Sequence, residues 1–161
     1  MHHVMKQLKG YHDSNVDTIV DKILISVGTN DIRYSNDSDQ LKLKLKSLCS
    51  VIKDLYPNSR VFFQLLIPLP CHHKNDWHTN SNVLRFNRAI FNECIFRKFH
   101  VMDAFSVFCD PRRNLFSPEL RDTRYFIGHN IHPSEQRGMG ILAKLYLRAI
   151  HSKFFDPYTF Q

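Results

Sequence analysis

Apolar positions along the chain fall into short β-rich runs that alternate with segments of helical period, the order of an α/β domain. The run Lys22-Ile23-Leu24-Ile25-Ser26-Val27 stops at Gly28. Its near-continuous hydrophobicity suits a strand covered on both faces, and it is expected to be the first central strand of a parallel sheet. Leu41, Leu45, Leu48, Ile52 and Leu55 then recur at helical spacing, preceded by the cap-capable Asp37 and Ser38 and stopped before Pro57. Lys42, Lys44, Lys46 and Lys53 mostly fall off that stripe, toward water. Val61-Phe62-Phe63-Gln64-Leu65-Leu66-Ile67 reads as a second buried strand, and Pro68 and Pro70 turn the chain out of the sheet. The pattern next predicts a polar, histidine-rich loop over 71–80, then a helix over about 82–99 with Leu84, Ile90, Phe91, Cys94, Ile95 and Phe99 on or near one face. A short strand over 101–105, an irregular basic stretch over 109–128 and a last helix after Pro133 complete it, the helix burying Leu142, Leu145, Tyr146, Ala149 and Ile150.

Chemistry-bearing residues lie where these elements end. Gly28-Thr29-Asn30-Asp31 follows the first strand directly, at the carboxyl edge where open α/β sheets bind their ligands. An ordinary Asx turn after a strand accounts for the same residues. Near the other end, His129-Asn130-Ile131-His132-Pro133-Ser134 holds an imidazole on a loop stiffened by proline. For His132 the competing reading is a helix-capping or buried histidine.

ISVGTND after a buried strand, together with HP opening a C-terminal helix that carries Gly138 and Gly140, resembles the third and fifth blocks of the SGNH (GDSL-type) hydrolases. The resemblance covers residues 21–152, with 1–20 matching poorly and 153–161 left as a tail, within one domain spanning 1–161. The wider wording, ISVGTNDIR, YPNSRVFFQLLIPLP and HPSEQRGMGILAKLYL, is similar to SGNH-like domains carried by animal transposable elements. It implies a three-layer αβα sandwich with a parallel, flavodoxin-like sheet and acyl-ester hydrolysis without a cofactor. By that resemblance Asn30 donates its amide to the oxyanion, Gly28 lets the backbone turn beneath it, Asp31 completes the block, and His132 takes the proton from a serine.

The departures bear on activity. The family's Gly-Asp-Ser block and its second, glycine-donating block are both missing, so the nucleophile is unknown and the fold is expected to be N-terminally truncated. Ser14, in YHDSN, is a poor substitute: no apolar strand precedes it, and the segment to Gly28 is too short for a βαβ crossover. A turn or helix cap suits it better. The carboxylate that orients the histidine stands three residues before it in the family, and that position is His129, which cannot stabilise an imidazolium as an aspartate does. The resemblance therefore implies a catalytically impaired domain, active only if a serine is supplied by a polypeptide segment upstream.

Composition widens the field. The chain has 161 residues, 43% of them hydrophobic, with 22 Lys+Arg against 15 Asp+Glu and a formal charge of +7, enough to attract polyanions. Arg112, Arg113, Arg121 and Arg124, with Phe116 and Tyr125 interleaved, fit an RNA or DNA contact region, to which the Lys42-Lys44-Lys46 stripe adds phosphate contacts. A solvated loop with internal salt bridges through Asp110, Glu119 and Asp122 accounts for the same residues. Some SGNH-like domains, the Oskar type among them, have lost their catalytic residues and bind RNA, so the resemblance admits this use. Cys71, His72, His73 and His78 match no standard zinc spacing, and no metal is expected; Cys49, Cys71, Cys94 and Cys109 read as free thiols. With no membrane-spanning run and no apolar signal-peptide core, the expected location is intracellular, cytoplasmic or nuclear.

Overall fold

A computed structural model describes residues 1–34, 37–69, 77–110, 112, 121–126, 132–135 and 137–151. Three parallel strands, β1 (Lys22–Ile25), β2 (Arg60–Gln64) and β3 (His100–Met102), lie in that spatial order, with Ile23 opposite Val61 and Phe63 opposite Val101. The described helices are α1 (His2–Ser14), α2 (Thr29–Tyr34), α3 (Ser38–Leu55), α4 (Trp77–Arg97), α5 (Ala104–Phe108) and α6 (Gly138–His151).

Side chains alternate across the pleat. Ile23, Ile25, Val61 and Phe63 enter a core with Leu45, Leu48 and Ile52 of α3 and Val83, Phe86 and Ile90 of α4. On the other face Leu24, Phe62 and Met102 meet Ala149 and Tyr146 of α6. Helices thus cover both faces, which is the expected three-layer αβα arrangement. It also explains why β1 and β2 read as continuous apolar runs: neither strand has a solvent side.

Helix α6 runs antiparallel to the strands. Near its end the Ile150 carbonyl accepts from Lys22 Nζ at the start of β1, while one turn earlier the Tyr146 hydroxyl donates to Gln64 Oε1 at the end of β2. Its amino end, and the loop that leads into it, therefore lie at the carboxyl edge of the sheet, where β1 delivers Gly28. Helix α1 occupies the segment expected to resemble the family least. Its Val4, Met5 and Leu8 pack on the core shared with α3, and the Tyr56 hydroxyl donates to the Leu8 carbonyl at 2.9 Å. It docks as a helix and does not extend the sheet.

Several expectations are corrected. β1 is an edge strand among the described residues, and β2 is the central one. Helix α4 starts at Trp77 instead of 82, taking in part of the expected loop. β3 stops at Met102 because Asp103 caps α5, its Oδ1 accepting from Ser106 N at 3.0 Å, so Ala104 and Phe105 are helical. Helix α6 begins at Gly138, beyond the turn that follows Pro133. Phe91, Ile95 and Ile150 were expected on buried faces but are 37%, 50% and 42% exposed. In α4 the buried stripe is Val83, Phe86, Ile90 and Cys94, and two asparagines share it.

Those asparagines hold the exit of β2. Asn87 Oδ1 accepts from Leu66 N at 2.8 Å and its Nδ2 donates to Leu66 O at 2.9 Å. Two turns earlier, Asn80 makes the same pair of bonds with Leu69, at 2.9 and 3.2 Å. Each side-chain amide takes the place of a neighbouring strand, so buried backbone that has left the sheet keeps its hydrogen bonds.

Candidate active site

The turn after β1 is built on Gly28. Its φ is +112°, and a Cβ there would overlap the edge of the Phe86 ring on α4, so both conformation and space require glycine. The turn starts α2 at once, with Ile32 N donating to Gly28 O at 2.9 Å. Asn30 sits exposed in the first turn of α2, and its amide has no hydrogen-bond partner among the described residues. The neighbouring Asp31 is engaged differently: its carboxylate accepts from the Met1 ammonium at 3.1 and 3.4 Å. Ser14, the last residue of α1, is a helix-end residue on an element packed against α3.

His132 approaches the same edge from the α6 side. It is exposed, followed by the buried Pro133. The turn beyond it is tightly held: Ser134 N donates to Tyr125 O at 2.7 Å, Met139 N to Ser134 O at 2.9 Å and Gly138 N to Ser134 Oγ at 3.2 Å. Gly138 is the second position where glycine is required, since a Cβ would overlap both Pro133 and the Tyr125 carbonyl. Gly140 faces open space. No hydrogen bond ties the His132 ring to another described residue, and His129 lies outside the described residues.

One serine at this edge had no sequence signal. Ser26 leaves β1 exposed and interacts electrostatically with the Tyr146 phenol, which donates to the buried Gln64. Burial raises the Tyr146 pKa and the Ser26 interaction opposes that rise, so the phenol is a neutral link in a chain of three polar side chains. Among the described residues no histidine bonds the Ser26 hydroxyl.

The arginine region is braced internally. Asp110 accepts from Arg112 through its backbone N at 3.0 Å, Nε at 2.9 Å and a terminal nitrogen at 2.8 Å. Asp122, 3% exposed, holds Arg124 in the same way, and the Arg124 guanidinium keeps its carboxyl below the usual aspartate range. Arg121 lies 3.7 Å over the Phe126 ring. Arg113 lies outside the described residues, as do Phe116 and Glu119. The described part of this region matches the salt-bridged loop better than a row of free cations.

Cys49, Cys94 and Cys109 are free thiols, and burial pushes Cys49 and Cys109 up to about 12 and Cys94 higher still. Among the described residues no cluster of three His, Cys, Asp or Glu side chains is arranged to hold a metal; Cys71, His72 and His73 lie outside them, and of His78 only its backbone place at the start of α4 is described. No described helix is long and apolar enough to cross a membrane.

Comparison with known proteins bears on both fold and family. The OSK domain of Drosophila Oskar superposes with a TM-score of 0.64 at 16% identity, over 81% of this chain and 62% of that one. A mutant of Axe2, an acetyl-xylooligosaccharide esterase from Geobacillus stearmophilus, superposes with a TM-score of 0.63 at 19% identity, over 94% of this chain and 69% of that one. The chain thus spans under two thirds of the Oskar domain, and at such identities both likenesses establish the shared fold alone. No curated protein matches the sequence. A family model does, over residues 4–136, from within α1 to the turn before α6. With that match over most of its length, the chain belongs to the GDSL-like lipase/acylhydrolase family.

Proposed function

We propose that this is an SGNH-type acyl-ester hydrolase domain whose own activity is impaired for want of a nucleophile. The observation that carries the reading is the Gly28 turn, locked beneath Phe86, which leaves the Asn30 amide exposed and unengaged at the carboxyl edge of a parallel sheet. A fixed amide dipole directed at the oxygen of a tetrahedral intermediate stabilises developing charge by about 2.7–4 kcal/mol. His132, exposed at the mouth of the α6 loop, is the general base: its ring takes the serine proton as the Oγ–carbon bond forms and returns it to the leaving alkoxide. Gly28 and Gly138 support these two side chains. With His129 in the place of the usual carboxylate, that position offers the imidazolium no negative charge, which weakens the base even when a serine is present. The substrate is an ester or acyl compound, no cofactor enters the reaction, and the serine comes from a polypeptide segment that completes the domain.

Hydrolysis of p-nitrophenyl acetate tests this. The chain alone should turn over the ester at little more than the buffer rate. Supplied with a segment bearing a strand followed by Gly-Asp-Ser, it should gain a rate that His132→Ala abolishes and Asn30→Ala lowers roughly 10²- to 10³-fold. No gain on complementation, or a gain indifferent to His132, would rule the proposal out.

A further inference from the structure

A second site lies on the opposite side of the sheet from α6. Helices α3 and α4 enclose an open groove of about 490 Å³ whose apolar floor is Leu45 and Ala89. Its walls are basic: Lys42 and Lys46 rise from successive turns of α3, Arg85 and Arg88 from α4, and the amide of Asn92 follows one turn on. Lys44, two residues from each groove lysine, falls on another face of α3. Among the described residues Lys46, Arg85, Arg88 and Asn92 have no partner, whereas Lys42 pairs with Asp39 at 3.0 Å. Glu93, a carboxylate in the lining, is already taken by Arg97 at 3.2 Å, and Arg97 also reaches Ser50 Oγ at 3.0 Å, closing the far end.

That end carries an aromatic ring. Phe96 is 79% exposed, the most exposed aromatic side chain among the large hydrophobics of the described residues, and falls on the same face of α4 as Arg85, Ala89 and Asn92 by helical spacing. The Arg97 guanidinium lies 5.9 Å from its centroid, bracing it from behind. Free cations along a groove attract phosphates, but they do not call for an exposed phenyl ring. A chain of phosphates that also carries flat bases uses both, the backbone tracking the cations and one base stacking on the ring.

We propose that the α3–α4 groove binds single-stranded nucleic acid, with Lys46, Arg85 and Arg88 on successive phosphates and Phe96 under a base. In the arginine loop buried aspartates hold Arg112 and Arg124, whereas Lys46, Arg85 and Arg88 on these helix surfaces have no partner among the described residues. The proposal is independent of the esterase reading, since Lys46, Arg85, Arg88 and Phe96 have no part in that chemistry.

Fluorescence anisotropy with a labelled twelve-nucleotide oligouridylate tests it on the whole chain. Affinity should fall with salt, with a log–log slope of about −0.7 per phosphate contact, near −2 for three contacts. Lys46→Gln with Arg88→Gln should weaken binding and flatten the slope by about 1.4, while Phe96→Ala should weaken binding roughly 5- to 100-fold and leave the slope alone. All three side chains are exposed, and unchanged thermal melting will establish that the variants fold. Arg112→Gln should not alter affinity. Salt-insensitive or absent binding would overturn the proposal, as would an Arg112→Gln loss equal to that of the groove variants. So would binding only to vesicles of phosphatidylserine and phosphatidylcholine, which would make the groove a lipid-headgroup site.

Discussion

Gly28 and Gly138 are alike in composition and opposite in cause. Gly28 is required by its left-handed backbone and by the Phe86 ring, so Gly28→Ala should cost roughly 2–4 kcal/mol in urea denaturation, strain and overlap acting together. Gly138 has ordinary helical backbone and is required by Pro133 and the Tyr125 carbonyl, a rigid obstacle that cannot swing away. Gly138→Ala should destabilise by more than about 1 kcal/mol, against the propensity that favours alanine in a helix. Two residues on, Gly140→Ala meets open space and should raise stability by about 0.5–1 kcal/mol. A melting temperature that moves the same way for both would contradict this assignment. At this scale the sequence was informative on one point: GTND after a strand marked the turn at Gly28, which is there at a φ of +112°. It had nothing to say of Ser26, because a serine after a strand becomes a member of a network only when Tyr146 and Gln64 arrive from distant segments.

At the scale of the element, helix α3 was fully legible and helix α4 was not. In α3 the buried Leu41, Leu45, Leu48 and Ile52 are all apolar, and Asp37 caps the helix by accepting from Asp39 N at 3.0 Å and Gln40 N at 2.9 Å. Period and cap agree there. In α4 the buried stripe runs through Asn80 and Asn87, polar residues that a hydrophobic pattern assigns to water, so the expected stripe was displaced toward Phe91 and Ile95, which are exposed. The amides are buried because Leu66 and Leu69 have left the sheet with their backbone groups still inside the protein. Asn87→Ala should therefore strand a buried N–H and a buried C=O, costing roughly 2 kcal/mol or more in chemical denaturation. Asn87→Asp retains the acceptor and loses the donor, and should also destabilise. A loss under about 0.5 kcal/mol for both would show that water replaces the bracket.

Across the whole molecule, three strands and two helical layers bury a histidine. His100 is 3% exposed and stacked on Phe62 with centroids 4.6 Å apart; burial first, and the Arg60 charge second, lower its pKa from 6.5. The native state resists the proton that the unfolded chain accepts. Stability is thus whole above the unfolded pKa of about 6.5 and declines as pH falls below it, levelling only beneath the depressed native value. His100→Phe preserves the stack and should flatten the decline in melting temperature between about pH 7.5 and 5.5; an unchanged slope would assign the effect to other groups. What the sequence determined by itself was what a local period or motif encodes: alternating strands and helices, the α3 stripe, the Leu142, Leu145 and Ala149 part of the α6 stripe, and the Gly28 turn, since each depends on residues a few positions apart. Tertiary structure alone decided that β2 and not β1 is central among the described strands, that two asparagines are inward, that aspartates hold Arg112 and Arg124 while Lys46, Arg85 and Arg88 of the α3–α4 groove have no partner among the described residues, and that the exposed Phe96 shares the groove face of α4. Each of these depends on which distant side chain, or how much water, surrounds a group, and burial of that kind is set by packing between segments that the linear pattern keeps apart.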